Sequence, residues 1–246
     1  MSTLRRPFLP ERDILLRWAV LALVFFGIVI SYIDRGNLSI AAPSIMADFR
    51  IAPATMGVLL SAFFWTYGLF QVPAGVLVDR FGIRRAYAGA FFLWSLASAS
   101  IALSRGTRDI IGLRMLLGLA ESIGPLASIA FIRRNFAGKN QGLPTSIYIA
   151  GQNVGPALGA LAGALLVDQF GWRLMFAITG LGALIWLPFW WYAVPADGAP
   201  APGRQISLLI STARLGIGPG TCFSPTGPFG QCVSLSFCPL IASISS

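Results

Sequence analysis

Long uncharged runs separated by short charged clusters dominate this chain. Met56 to Val78 carries no formal charge, and neither does Ala86 to Leu103. Each run is long enough to cross a bilayer, since ~20 apolar residues cover the ~30 Å hydrocarbon core. Helices are the expected form, because a span surrounded by lipid must satisfy its own backbone groups. The same pattern places spans near Trp18–Ala42, Thr55–Val78, Ala86–Leu103, Ile110–Ile132, Gly142–Val167 and Leu174–Val194. The predicted fold is an all-α integral membrane protein with six transmembrane helices. It consists of an amino-terminal segment 1–17, a membrane domain 18–194 and a tail 195–246.

Composition supports lipid as the solvent. Hydrophobic residues make up 56% of the chain and charged residues 11%, against about a quarter charged in ordinary soluble domains. The net charge of +9 would fit nucleic acid if the basic residues formed one patch on a soluble fold, but they cluster at the ends of apolar spans. Nucleic acid is therefore not an expected partner; the anionic inner leaflet is. With the amino terminus inside, Arg5, Arg6, Arg12, Arg17, Arg80, Arg84, Arg85, Arg133, Arg134, Lys139, Arg204 and Arg214 are cytoplasmic, and only Arg50, Arg105, Arg108 and Arg173 lie outside. Twelve against four is a positive-inside bias that predicts two cytoplasmic termini in a bacterial-type inner membrane. The chain has no histidine, and its cysteines, Cys222, Cys232 and Cys238, all lie in the tail. No metal site, cofactor or disulfide framework is expected.

Four ionisable residues fall at membrane depth: Asp34 and Arg35 in the first span, Arg114 and Glu121 in the fourth. A charge near the bilayer centre costs at least ~2.5 kcal/mol, so such residues face a protein interior or a water-filled cavity. Two opposite-sign pairs suit that setting. Asp34 and Arg35 are adjacent, and Arg114 and Glu121 are seven apart, which puts both on one helix face. The plain reading is a set of static ion pairs. The functional one is that carboxylates beside arginines can change charge state as the pairing changes, while arginine offers a substrate carboxylate two parallel hydrogen bonds.

Tyr32 shares a face with Arg35, Tyr67 lies midway along the second span, and Gln152 with Asn153 interrupts the fifth. Each alone is compatible with interior hydrogen bonding; together with the charges they predict a polar cavity. Gly151, Gly155, Gly159 and Gly163 recur every four residues, a stripe that lets another helix approach closely, with Pro156 adding a bend. The aromatic cluster Trp186 to Trp191 reads as an interfacial, lipid-facing belt.

Gly75-Val-Leu-Val-Asp79-Arg80-Phe-Gly82-Ile-Arg84-Arg85 resembles the loop between the second and third helices of the major facilitator superfamily. Ser31 to Pro43, Gly118-Leu-Ala-Glu121 and Gly151 to Pro156 resemble that superfamily's anion:cation symporters, which carry hexuronates, aldonates, glucarate, phthalate and sialin-type substrates. The resemblance implies a 3+3 inverted repeat forming the amino-terminal half of a carrier, and uptake of a small organic anion with protons. By that similarity Asp34 and Glu121 couple protons, with Arg35 and Arg114 as their partners. Tyr32, Arg35, Tyr67, Arg114, Gln152 and Asn153 would line the substrate site. Gly75, Asp79, Arg80, Gly82, Arg84 and Arg85 would form a cytoplasmic gating motif. The implied partners are the anion, the proton, the bilayer, and a carboxyl-terminal six-helix half or a second copy. Ile83 and Lys139-Asn-Gln141 depart from the family pattern. The glycine stripe also resembles a fifth-helix signature of antiporters, which leaves symport and exchange both open.

From about Gly203 the chain becomes rich in Ser, Gly, Pro and Cys. Two readings stand for this tail: an irregular cytoplasmic segment, or a frameshift. A shifted frame through Thr226 to Cys232 can spell residues resembling the approach to a seventh helix. A transporter is the expected function, with a non-transporting membrane sensor or assembly module as the alternative. An enzyme is not expected, since the chain presents no nucleophile, metal cluster or catalytic pair near a surface.

Overall fold

The computed structural model describes residues 14–136 and 141–195. These form α1 (Ile14–Phe49), α2 (Pro53–Phe81), α3 (Ile83–Ser100, continued by a 3-10 turn at Ile101–Leu103), α4 (Thr107–Glu121), α5 (Ile123–Asn135), α6 (Gly142–Ala183) and α7 (Trp186–Ala193). The tail from residue 196, and with it the frameshift question, lies outside the described residues, as do Arg5, Arg6, Arg12, Lys139, Arg204 and Arg214.

Five helical stretches among the described residues are long and apolar enough to cross a membrane, and the last, Gly142–Ala193, runs for 52 residues. A straight helix of that length would extend ~78 Å, far beyond one bilayer core. It does not run straight. Gly171 adopts φ 78° and ψ 164°, a conformation that glycine reaches without a Cβ penalty. Before this break α6 runs parallel to α1, with Gly151 against Phe25 and Ile28, Gly155 against Val29 and Tyr32, Gly159 against Ile33 and Gly163 against Ile40. After it the chain returns antiparallel: Trp172 bonds Asp48, Asn37 bonds Thr179, and Trp186 bonds Leu23. The two arms of α6 therefore form a hairpin along α1.

Gly82 repeats the Gly171 geometry between α2 and α3, with φ 82° and ψ 161°. The flanking residues repeat too. Asp79-Arg80-Phe81-Gly82-Ile83-Arg84 and Asp168-Gln169-Phe170-Gly171-Trp172-Arg173 share aspartate, phenylalanine, glycine and arginine at the same spacing.

The expected fourth span, Ile110–Ile132, is two helices meeting at Ser122. Pro125 has no N–H for the carbonyl of Glu121 and breaks the ladder there. The first span is longer than expected, continuing through Pro43 to Phe49.

Side chains sort by depth. One apolar cluster includes Val20, Val24, Ile28, Val78, Phe91, Trp94, Phe131 and Trp190. A second gathers Leu38, Ile45, Met56, Leu59, Ile110, Trp172 and Phe176. Along α1 the buried polar residues Ser31, Asp34 and Asn37 fall between the two clusters, and Thr66, Ser98, Arg114 and Glu121 are buried on the neighbouring helices. At the first cluster's end, Arg17 donates to the Asn135 carbonyl, Trp190 to the Arg84 carbonyl, and Asp79 lies 4.0 Å from Arg134. At the opposite end Asp48 accepts from Trp172 and Arg173.

The aromatic cluster at 186–191 is not the lipid-facing belt expected from sequence. Trp186 stacks on Phe91 at 4.2 Å and on Trp190 at 4.9 Å, while Tyr87 meets the Trp190 ring at 4.7 Å. Both indoles are buried because their N–H groups find carbonyls at Leu23 and Arg84. Phe189 and Trp191 are the exposed members.

Candidate functional site

Asp34 and Arg35 are neighbours in sequence, but successive helical residues point ~100° apart. They accordingly serve different partners. Arg35 reaches α4, where its Nε donates to Glu121 Oε2 at 2.6 Å. Ser31, one turn before Arg35, donates to the same oxygen at 2.9 Å. Asp34 turns toward α3 and the second arm of α6. Its Oδ1 accepts from Ser98 Oγ at 3.1 Å and Asn37 Nδ2 at 3.4 Å, and Asn37 Nδ2 also donates to Thr179 Oγ1 at 3.0 Å.

The direct ion pair thus joins two helices, Arg35 to Glu121, rather than the pairs Asp34/Arg35 and Arg114/Glu121 that spacing suggested. Arg114 is buried on the Glu121 face of α4 and interacts with both carboxylates through space. Its Nε and Nη1 have no hydrogen-bond partner, nor do Arg35 Nη2, Glu121 Oε1 and Asp34 Oδ2.

Aromatic rings enclose the Arg35 guanidinium. Its centre lies 4.7 Å from the Tyr32 ring, 5.2 Å from Phe63 and 4.6 Å from Tyr67. Phe63 also packs 5.4 Å from the Arg114 guanidinium. Such faces attract the cation and hold it while part of it stays reachable, for the Arg35 side chain keeps 16% exposure. Gly118 lets this box form: a Cβ there would strike the Phe63 carbonyl and Thr66 Oγ1, and Thr66 donates to the Met115 carbonyl at 2.8 Å. The contact brings Phe63 and Tyr67 against the helix that carries Arg114 and Glu121.

Of the other expected site residues, Gln152 is half-buried, while Asn153 is exposed and donates to the Ile149 carbonyl of its own helix. Gly151, Gly155, Gly159 and Gly163 all face α1, and Pro156 sits within the same arm. In the loop motif, Arg84 donates to the Trp191 carbonyl at 2.7 Å and its guanidinium lies over that ring; Arg80 and Arg85 are exposed. Gly75 lies within α2 with open space beside it.

Sequence reasoning did not single out Ser31, Asn37, Phe63, Ser98, Tyr148 or Thr179. Helical spacing could have flagged two of them, since Ser31 lies four before Arg35 and Asn37 three after Asp34. Tyr148, buried on α6, interacts electrostatically with Arg35, Tyr32 and Tyr67. Ser98 and Thr179 have no charged neighbour in sequence to mark them.

An all-helical bundle whose spans bury arginines and carboxylates around a reachable guanidinium is a polytopic membrane protein with a charged interior. A profile of the Major Facilitator Superfamily matches residues 24–241, and the chain belongs to that family. It is 33% identical over 174 residues to the D-galactonate transporter of Escherichia coli O6:H1, covering 71% of this chain and 40% of the relative. It is 30% identical over 203 residues to the hexuronate transporter of Bacillus subtilis strain 168, covering 77% of this chain and 48% of the relative. The chain thus spans less than half the length of either relative. The fold is similar to an inward-facing bacterial homolog of the human lysosomal transporter Spinster, with TM-score 0.67 and 20% identity over 76% of this chain and 45% of that one.

Proposed function

We propose that this chain is the six-helix amino-terminal half of a proton-coupled organic-anion carrier of the anion:cation symporter type, working by alternating access. The α6 hairpin supports six crossings, and the matching turns around Gly82 and Gly171 support a 3+3 inverted repeat. The boundaries 1–17, 18–194 and 195–246 follow from that reading, with the basic end in the cytoplasm and both termini there. The second half of the cavity is supplied by a carboxyl-terminal six-helix bundle or a second copy, in a bacterial-type inner membrane.

The observation that carries the proposal is the Arg35–Glu121 pair beneath Tyr32, Phe63 and Tyr67, with part of the Arg35 side chain still exposed. A substrate carboxylate is the group that suits this guanidinium. The names of the relatives point to sugar acids. Arg35, Tyr32 and Tyr67 bind the anion, with Arg114, Gln152 and Asn153 lining the remainder of the site. Glu121 takes a proton when substrate competes for Arg35, and Asp34 is the second proton site. Asp79, Arg80, Arg84 and Arg85, with Gly75 and Gly82, gate the cytoplasmic side through the Asp79–Arg134 pair and the Arg84–Trp191 contact.

The test is calorimetric titration of the purified chain in lipid nanodiscs with D-galactonate, D-glucarate and glucuronate. At least one acid binds, and Arg35→Lys weakens it about tenfold, the equivalent of one lost charge-assisted hydrogen bond. Equal affinity in the folded Arg35→Lys chain would remove Arg35 from the site.

A further inference from the structure

We propose that Asn37 relays the charge state of Asp34 to the second arm of α6 by turning over its side-chain amide. The inference rests on the carrier reading above, in which Asp34 takes up a proton. Asn37 is fully buried and bridges two helices through one nitrogen, donating to Asp34 Oδ1 and to Thr179 Oγ1. Its own Oδ1 has no partner, and neither has Asp34 Oδ2. Ser98 is a further donor to Asp34. This arrangement suits an ionised carboxylate, which only accepts hydrogen bonds.

A proton arriving on the unpartnered Asp34 Oδ2 makes a buried O–H that needs an acceptor, and the unpartnered Asn37 Oδ1 can supply one. A half-turn of the amide exchanges Nδ2 and Oδ1 within nearly the same volume. The amide oxygen then accepts from the Asp34 hydroxyl. It can also accept from Thr179, whose hydroxyl otherwise donates to the Met175 carbonyl at 2.9 Å. A threonine bonded back to the carbonyl four residues earlier bends its helix, so releasing that bond changes the course of the arm. The proton stays on Asp34 throughout, and only hydrogen bonds are exchanged.

The charged groups acting on Asp34 are Glu121 and Arg114 from α4 and its neighbour Arg35 on α1. The groups bonded to it from α3 and α1 are uncharged, Ser98 and Asn37, and Asn37 in turn meets uncharged Thr179 on α6. A readout must therefore be specific to the amide, not merely to the pH at which Asp34 titrates.

Infrared difference spectra of the full chain in nanodiscs, recorded across pH, supply it. The protonated-carboxyl band lost in Asp34→Asn belongs to Asp34. The proposal expects a side-chain amide carbonyl change that titrates with this band, shifts on 13C-asparagine labelling of the unmodified chain, and is lost in Asn37→Leu. Thr179→Val retains the amide change but loses the accompanying pH-dependent change in tryptophan emission. An Asp34 band that titrates with no labelled amide change overturns the relay and leaves the carrier reading standing. An Asp34 that never titrates overturns proton coupling at Asp34 and the relay with it. Labelling needs no substitution, so poor folding of Asn37→Leu does not shield the idea.

Discussion

Asp34 and Arg35 share a peptide bond, yet one lies among neutral donors and the other in an ion pair lined with rings. Around Arg35, Glu121 supplies the opposite charge and three aromatic faces surround the guanidinium, with part of the side chain exposed. Asp34 instead accepts its hydrogen bonds from a hydroxyl and an amide, and the carboxyl is fully enclosed. Removing a charge should therefore have unequal consequences. A broken ion pair leaves an uncompensated buried charge, whereas a carboxylate held by neutral donors can become neutral in place.

Glu121→Gln breaks the comparison most severely. It strands Arg35 beside Ser31, and loss of one partner from a buried pair costs about 3–5 kcal/mol. The expected result is a large drop in the thermal unfolding temperature of the chain in detergent. The double variant Arg35→Met with Glu121→Met should recover most of that stability, because a well-packed apolar pair replaces a buried ionic one at little cost. A double variant no more stable than Glu121→Gln would show that the pair's geometry, not its unbalanced charge, is what the bundle needs.

Gly118→Ala is next. The added Cβ meets the Phe63 carbonyl and Thr66 Oγ1, so α2 must shift, at about 1–3 kcal/mol for overpacking. The damage should fall on the Arg35 side, lowering, under the proposed function, the affinity for the sugar acid while leaving the Asp34 infrared band in place. Equal disturbance of both would mean the two clusters form one unit.

Asp34→Asn should be milder for stability, within about 1.5 kcal/mol, since an isosteric amide enters a neutral setting. Under the proposed function it abolishes proton-driven accumulation in a carrier with both halves present while sparing exchange. Undiminished uphill uptake would exclude Asp34 from coupling.

These contrasts were only partly legible in the sequence. Uncharged runs bounded by arginines marked the helices, because the cost of charge in lipid writes itself into composition. The charged residues themselves were visible for the same reason. Their pairing was not, since Arg35–Glu121 links positions 86 apart and depends on how α1, α2 and α4 pack. Trp186 and Trp190 misled because tryptophan suits both membrane interfaces and buried stacks; only the carbonyls of Leu23 and Arg84, distant in sequence, decide between the two. The break at Ser122 was available from Pro125 but hidden inside an unbroken apolar run.

The two glycine turns give the smallest and most discriminating test. Asp79 and Asp168 occupy equivalent places before Gly82 and Gly171, and Asp79 is set against Arg134 at 4.0 Å with both side chains partly exposed. Exposed pairs of this kind contribute about 0–1 kcal/mol, so Asp79→Asn should barely move the unfolding temperature. Gly82→Ala and Gly171→Ala place a Cβ on a left-handed backbone that the fold requires, at a cost of about 1–3 kcal/mol. If Asp79→Asn nevertheless lowers transport in a carrier with both halves present while Asp168→Asn does not, the basic turn acts in gating. Equal and negligible effects would leave both aspartates as turn residues, with the glycines alone responsible for the reversal of the chain.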